Sequence, residues 1–159
     1  MGKANDSEHE AAKNAYTFYG WFLQEVAKEV GWDKAVAIHA GNGDKFAGML
    51  GGMVRAKCSQ QKPDAECVAA VLENAYKKCG MDYEVQATDG IVTVRVGRCP
   101  IYDGLAASGI DHAKIQQLCQ GLGGREYEQL KRLVPELAGK VKFRESASDT
   151  CLEEFVVAT

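Results

Sequence analysis

The chain has 159 residues, of which 46% are hydrophobic and 26% are charged. This length and composition predict one globular domain, residues 1–159, that buries its own core, with residues 1–6 as a polar N-terminal tail. The formal charge of −3, with Lys and Arg scattered, gives no basic stripe for nucleic acid, and no apolar run approaches the roughly 20 residues that span a membrane.

The start of the chain and its cysteine content together bear on the cellular compartment. Residues 1–6 lack the apolar stretch of a signal peptide, so we expect a cytoplasmic protein. In a reducing compartment disulfides are disfavoured, and the six cysteines are then small core residues, metal ligands or nucleophiles. The same even count would allow three disulfides if the protein were exported.

The first predicted helix begins at Ser7, which forms a capping box with Glu10, and it ends at Gly31. Its apolar stripe is wide and rich in aromatic residues. Such a stripe favours packing on the helix's own domain and also allows a homodimer through this N-terminal helix.

The second predicted helix, from residue 33 to about residue 56, contains several glycines. Each interior glycine costs a helix roughly 1 kcal/mol relative to alanine, so we expect either a break near Gly41 and Gly43 or the close approach of a ligand or a neighbouring helix. His39, with apolar neighbours, is interpreted as a hydrogen-bonded packing residue rather than a ligand.

A third predicted helix follows Asp64, its N-cap. Cys67 and Cys79 are twelve residues apart on it, more than three turns, so they cannot share one ion. We interpret both as packing thiols. No role is assigned to Cys58, which lies in the preceding loop.

Two stretches of alternating polarity around Asp89-Gly90 predict a β-hairpin, because this pair supports a tight turn. Cys99 follows the second strand, and Pro100 can open a helix. A thiol at a helix N-terminus has a lowered pKa, which we expect for Cys99.

The last third of the chain predicts two helical segments and a second hairpin. Asp111 caps a helix that carries His112 and Cys119 and that ends at a group of glycines before a second helical segment from residue 125 to residue 137. Strands are predicted at residues 141–147 and 151–158, with Asp149 in the turn. A turn aspartate usually serves backbone hydrogen bonds, but beside Cys151 it could also orient a metal ligand or a water.

These elements predict an α+β fold with N-terminal helices packed on an antiparallel sheet of two hairpins and with helices between the hairpins. Cys99, Cys119 and Cys151 lie where predicted strands or helices begin or end. The fold could therefore bring three sulfurs to one point, as in a metal or cluster site.

The segments Arg98-Cys99-Pro100, Leu118-Cys119 and Asp149-Thr150-Cys151, the last followed by Phe155, resemble the L-2-amino-thiazoline-4-carboxylic acid hydrolase-like family. The similarity extends over roughly residues 15–157 and is specific from Cys99 onward. A named member of that family opens a thiazoline ring by hydrolysis. The resemblance implies a hydrolase that acts on a C–N bond of a small cyclic substrate.

Three functions remain open at this stage. In a hydrolase, Cys99, Cys119 and Cys151 would hold Zn²⁺ with an open position for water, and Asp149 or Glu145 would transfer the proton. In a binding module similar to vinyl-reductase or hydrocarbon-binding domains, the same thiols would hold a closed metal site or an iron–sulfur cluster beside a pocket for a small ligand. In the third, all six cysteines pack in the interior of a dimeric adaptor.

Overall fold

Six helices and four strands form the described part of the protein, which is Gly2, residues 5–58 and residues 63–158 of a computed structural model. The four strands form one antiparallel sheet, so the α+β fold predicted from the sequence is confirmed. The elements in chain order are α1 (Asp6–Val30), α2 (Trp32–Ala40), α3 (Asn42–Lys57), α4 (Ala65–Lys78), β1 (Tyr83–Thr88), β2 (Ile91–Val96), α5 (Pro100–Ala107), α6 (His112–Leu133), β3 (Leu137–Lys142) and β4 (Cys151–Val157).

The sheet has the strand order β1-β2-β4-β3, so its two hairpins meet where β2 pairs with β4. Successive side chains of a strand point to opposite faces. Phe155 and Val157 of β4 are buried. Glu153 and Cys151 share their face because they lie two and four residues before Phe155. The same face of β2 carries three buried valines that pair opposite Phe155, Glu153 and Cys151.

The buried hydrophobic side chains form two clusters. The larger one joins the buried face of the sheet to α3, α4 and the end of α6, and the smaller one joins α1, α2, α5 and the start of α6. Cys99 and Ile101 contact both clusters. The segment at the start of α5 therefore marks the boundary between them.

Helix α1 begins one residue before the predicted cap, because the Asn5 side chain accepts a hydrogen bond of 3.1 Å from the Ser7 amide. It ends as predicted at Gly31, which has φ 85°. The buried His9 ring contacts the Gly80 carbonyl at 2.8 Å and the Asp103 carboxylate at 3.0 Å. This ring thereby ties α1 to the end of α4 and to α5.

The predicted break in the second helical segment is confirmed, since α2 ends before Gly41 and α3 starts after it. The reason for Gly43 is a neighbouring helix: a Cβ at this position would lie 2.5 Å from the Leu122 carbonyl oxygen of α6. His39 is a packing residue, as predicted; it is buried, and its ring contacts the Tyr19 hydroxyl at 2.8 Å. Burial lowers the pKa of His39 to about 4.

The predicted interruption at residues 121–124 is wrong, because α6 runs through all of these glycines. Gly123 faces the sheet side, where a Cβ would lie 2.9 Å from the Phe143 ring. The glycine therefore permits close packing and does not end the helix. The predicted N-cap, Asp111, is confirmed by a hydrogen bond of 2.9 Å from the Lys114 amide.

The first hairpin is confirmed, with its turn at Asp89 and Gly90, both of which have positive φ. The first strand of the second hairpin lies earlier than predicted, at Leu137–Lys142. This register places Leu137 and Gly139 opposite the buried residues Val157 and Phe155. Residues 143–150 then form the connection to β4.

Three cysteines differ from their predicted states. Cys58 and Cys67 form a disulfide between the end of α3 and the first turn of α4, whereas Cys67 was interpreted as a packing thiol and Cys58 had no role. Cys79, also predicted to pack, is exposed at the C-cap of α4. Disulfides persist in oxidising compartments, so the cytoplasmic location stays a prediction. None of the described helices combines the length and apolar character needed to cross a membrane.

The contact between α3 and α6 can be tested with two alanine substitutions in the same helix. In Gly43→Ala the new Cβ meets the backbone of α6, and we expect the free energy of unfolding to fall by about 1–3 kcal/mol. In Gly48→Ala no atom lies within 4 Å of the new Cβ. The higher helix propensity of alanine should therefore raise the free energy of unfolding by about 1 kcal/mol. Urea denaturation measures both, and equal effects would contradict the assigned packing.

Candidate active site

The three predicted cysteines come from three elements that meet beside the sheet. Cys99 is the N-cap of α5, Cys119 lies in α6 and Cys151 begins β4. Each keeps part of its surface exposed. Burial raises the pKa of Cys119 to about 12, with further contributions from Cys99 and Cys151, so the three thiols are near enough to interact electrostatically. Together with Arg144 we call them the thiol cluster.

The pKa of Cys99 is raised, whereas the sequence analysis predicted a lowered pKa. Cys99 does precede a helix that Pro100 opens, and the amides of Tyr102 and Ile101 favour the thiolate. Burial nevertheless raises the pKa of Cys99 to about 11, because desolvation outweighs these amides. Cys99 and Cys119 are therefore neutral thiols at physiological pH.

Arg144, in the connection between β3 and β4, supplies a permanent charge to the thiol cluster. Its side chain is buried, donates a hydrogen bond of 2.7 Å to the Gly97 carbonyl and lies 4.6 Å over the Tyr102 ring. Burial alone would lower the pKa of Arg144, but its hydrogen bond with Cys151 and the nearby Cys99 raise it. The Gln116 amide also donates to the Arg144 carbonyl and holds the connection against α6.

The two carboxylates predicted to be catalytic lie on the outer part of the same connection. Glu145 is exposed, and its side chain forms an ion pair of 3.1 Å with Lys142. Asp149 is exposed and accepts hydrogen bonds from the amides of Glu145 and Thr150, which lower the pKa of Asp149. These contacts are those of a turn residue, so the catalytic roles stay predictions.

His112 also belongs to this region, although no role was predicted for it. Its ring contacts the Tyr102 hydroxyl at 2.8 Å and the Glu145 carbonyl at 3.1 Å. His112 thus links α5 and α6 to the connection that carries Arg144.

Among the described residues, no group of three or more His, Cys, Asp or Glu side chains is placed to hold a metal ion. The assignment of zinc or an iron–sulfur cluster to Cys99, Cys119 and Cys151 stays a prediction.

A second polar cluster lies next to the first on β4. The Glu153 Oε2 atom accepts hydrogen bonds from the hydroxyls of Tyr76 and Tyr127, both 2.6 Å long. Burial raises the pKa of Glu153, although the two hydroxyls act in the opposite direction. The pKa values of both tyrosines are raised well above their usual range, first by burial and then by the charge of Glu153, so both remain donors.

Glu126, on the inner side of α6, completes this cluster. Burial raises its pKa to about 8, and the charge of Glu153 adds to the effect. Glu126 therefore keeps its proton at neutral pH, while two hydroxyls stabilise the ionised form of Glu153. We call Glu126 and Glu153 the carboxyl pair.

The sequence held a signal for the carboxyl pair that its analysis did not use. Glu153 lies two residues from both Cys151 and Phe155, so it shares the inward face of β4 with them. Glu126 follows Cys119 by seven residues on α6 and therefore lies on the same side of that helix. Arg144 had no such signal, because it lies in an irregular connection.

Comparison with known proteins gives no family assignment: no family model matches the chain, and a search of curated proteins finds no match. The resemblance to the L-2-amino-thiazoline-4-carboxylic acid hydrolase-like family therefore stays a prediction.

The raised pKa of Glu126 predicts a pH-dependent stability. Since Glu126 holds its proton more tightly in the folded protein, its stabilising contribution is complete below pH 4.5 and is lost as the pH rises to about 8. We expect the free energy of unfolding to fall by about 2–5 kcal/mol across this window, because each pKa unit corresponds to about 1.4 kcal/mol and solvent access reduces the effect. Urea denaturation should show a flatter pH dependence for Glu126→Gln, and an unchanged slope would contradict the shift. The exposed Glu128→Gln serves as the control.

The states of the cysteines predict an order of alkylation by iodoacetamide at pH 7.5 without reductant. Burial raises the pKa of all three thiols, but Cys79 is exposed whereas Cys99 and Cys119 are partly buried, so Cys79 should react first. Cys58 and Cys67 should react only after reduction. Peptide mass spectrometry measures each site, and unfolded, reduced protein is the control. Rapid alkylation of Cys119 in the folded protein would show that its thiol is not protected.

Proposed function

We propose that the protein is a small-molecule hydrolase in which the carboxyl pair performs general acid–base catalysis. The observation that carries this proposal is that Glu126 and Glu153 are close enough to interact, yet their surroundings differ. Burial and the charge of Glu153 raise the pKa of Glu126 to about 8, while Glu153 accepts hydrogen bonds from two tyrosine hydroxyls. Such a pair separates an acid from a base at neutral pH.

The roles of the two carboxyls follow from their protonation. Glu153 uses Oε2 for both tyrosines, so Oε1 is available to accept a proton from an attacking water. Glu126 carries the proton that the departing nitrogen needs when a C–N bond breaks. A proton transfer from Glu153 to Glu126, directly or through water, restores the starting state, and the cycle consumes only water.

The sequence resemblance implies that the bond broken is a C–N bond of a small cyclic substrate. Opening of a C–N bond in a small cyclic substrate needs one proton removed from water and one delivered to nitrogen, which the carboxyl pair can supply. The neutral thiols of Cys99 and Cys119 would then line the substrate's surroundings.

The catalytic role of the carboxyl pair predicts a specific loss of activity. Cyclic substrates with a C=N–C linkage, L-2-amino-thiazoline-4-carboxylic acid among them, are incubated with the protein, and ring opening is followed by NMR. Glu126→Gln should lower kcat by about 10²–10⁴-fold, because the variant has no proton to give. In the wild type, kcat should fall as the pH rises through about 8, where Glu126 ionises.

The control for this experiment is Glu128→Gln, which changes an exposed carboxylate on the same helix and should leave kcat unchanged. Turnover that survives Glu126→Gln would overturn the proposal. Saturable binding of these compounds without turnover would instead support the alternative, a non-catalytic small-ligand-binding module.

A homodimer through α1 is the proposed assembly. Phe18, Trp21 and Phe22 are 67%, 50% and 63% exposed, and the first two rings pack edge to face 5.2 Å apart. Three large apolar side chains one helical turn apart form a compact patch. A second copy of the chain, presenting the same patch, would cover it.

A further inference from the structure

Arg144 is the one residue with a permanent charge among the buried residues that the structure describes; the other buried polar residues are His9, His39 and Ser108. Its side chain is 4% exposed. Burying a charge is unfavourable unless an opposite charge accompanies it. The electrostatic partner of Arg144 therefore needs an explanation.

No Asp or Glu in the described ranges lies within salt-bridge distance of the Arg144 guanidinium. Asp103 acts on Arg144 from farther away, and its carboxylate contacts the His9 ring at 3.0 Å. The contacts of the guanidinium are the Gly97 carbonyl, the Tyr102 ring and the Cys151 sulfur. The Gly97 carbonyl and the Tyr102 ring carry no charge, and none of these three contacts is a carboxylate.

Cys99 and Cys119 are neutral thiols at physiological pH and supply no negative charge to Arg144, which leaves Cys151 as the one thiol in hydrogen-bond contact with the guanidinium. All three cysteines around Arg144 keep part of their surface exposed, so the cluster lies close to the protein surface. A guanidinium presents five N–H donors in a fixed plane, a geometry that matches the oxygens of an oxyanion.

We propose that Arg144 and the thiols around it form a binding site for the oxyanion group of a small molecule, which neutralises the buried guanidinium. The shared chemistry is that of a carboxylate, sulfate or phosphate oxygen that accepts N–H bonds from arginine. Tyr102 holds the guanidinium from its ring face and Gly97 holds it from one edge, so both fix its orientation before the anion arrives.

The position of this site also describes the substrate, a step that rests on the proposed function. Cys151 and Glu153 are two residues apart on one face of β4, about 7 Å along the strand. An oxyanion at Arg144 would place the rest of a small molecule against the carboxyl pair. The substrate is then a small anion whose reacting bond lies roughly one side-chain length from its charged group.

The test uses sodium acetate, sulfate and phosphate as probes, with acetamide as the neutral counterpart of acetate. Thermal unfolding is followed at constant ionic strength for the wild type, Arg144→Met and Arg125→Met, the last of which removes an exposed arginine paired with Asp44. We expect at least one anion to raise Tm along a saturable curve in the wild type and in Arg125→Met. Arg144→Met should show only the linear salt effect common to all three proteins, and acetamide should raise Tm in none.

A second measurement covers the case in which Arg144→Met does not fold. Phenylglyoxal modifies arginine side chains, and mass spectrometry reports the rate at Arg144 in the wild type. The anion that raises Tm should slow this rate at least tenfold at saturation and leave the rate at Arg125 unchanged. Equal rates at Arg144 with and without anion, or a saturable Tm curve in Arg144→Met, would overturn the site.

Failure of the anion site and failure of the proposed chemistry are distinguishable. Glu126→Gln lacks the catalytic proton but keeps Arg144, so it should bind the anion with unchanged affinity. Anion binding without turnover would support this site and contradict the acid–base proposal. Turnover without anion binding would support the acid–base proposal and contradict the anion site.

Discussion

The register of β4 is the constraint on which the polar interior depends. Its hydrogen bonds to β2 on one side and β3 on the other fix which of its side chains face the helices. Phe155 and Val157 require that face to be inward, since both are buried. A shift of one residue would expose them and remove Cys151 and Glu153 from the interior. The same hydrophobic pattern that stabilises the sheet therefore places the polar side chains.

The interior keeps ionisable groups by controlling their charge in different ways. Glu126 remains protonated, Glu153 receives two hydroxyl donors, and Cys99 remains a thiol. Each arrangement reduces the cost of moving a charge away from water. Arg144 does not lose its charge, and this difference makes its surroundings the most informative part of the molecule.

Local chemistry made much of the fold predictable. Asp64 and Asp111 cap their helices through hydrogen bonds to backbone amides, and Asp89-Gly90 forms the turn of the first hairpin. These features depend on residues that are close in sequence, so their signals are strong. The continuity of α6 was not predictable in this way, because Gly123 is there for the Phe143 ring of a distant segment.

The candidate site was predicted only in part, for a related reason. The meeting of Cys99, Cys119 and Cys151 followed from their positions at the ends of elements, but their protonation depends on burial, which periodicity does not measure. The pairing of Cys58 with Cys67 was missed because the compartment had been inferred from the polar start of the chain.

The disulfide also changes what happens when the backbone is cut. Cys58 ends α3, and Cys67 lies in the first turn of α4, so every peptide bond between them is bridged by the sulfur link. A protease that cleaves there leaves the two fragments in one covalent molecule. Their separation requires a reductant as well as a protease.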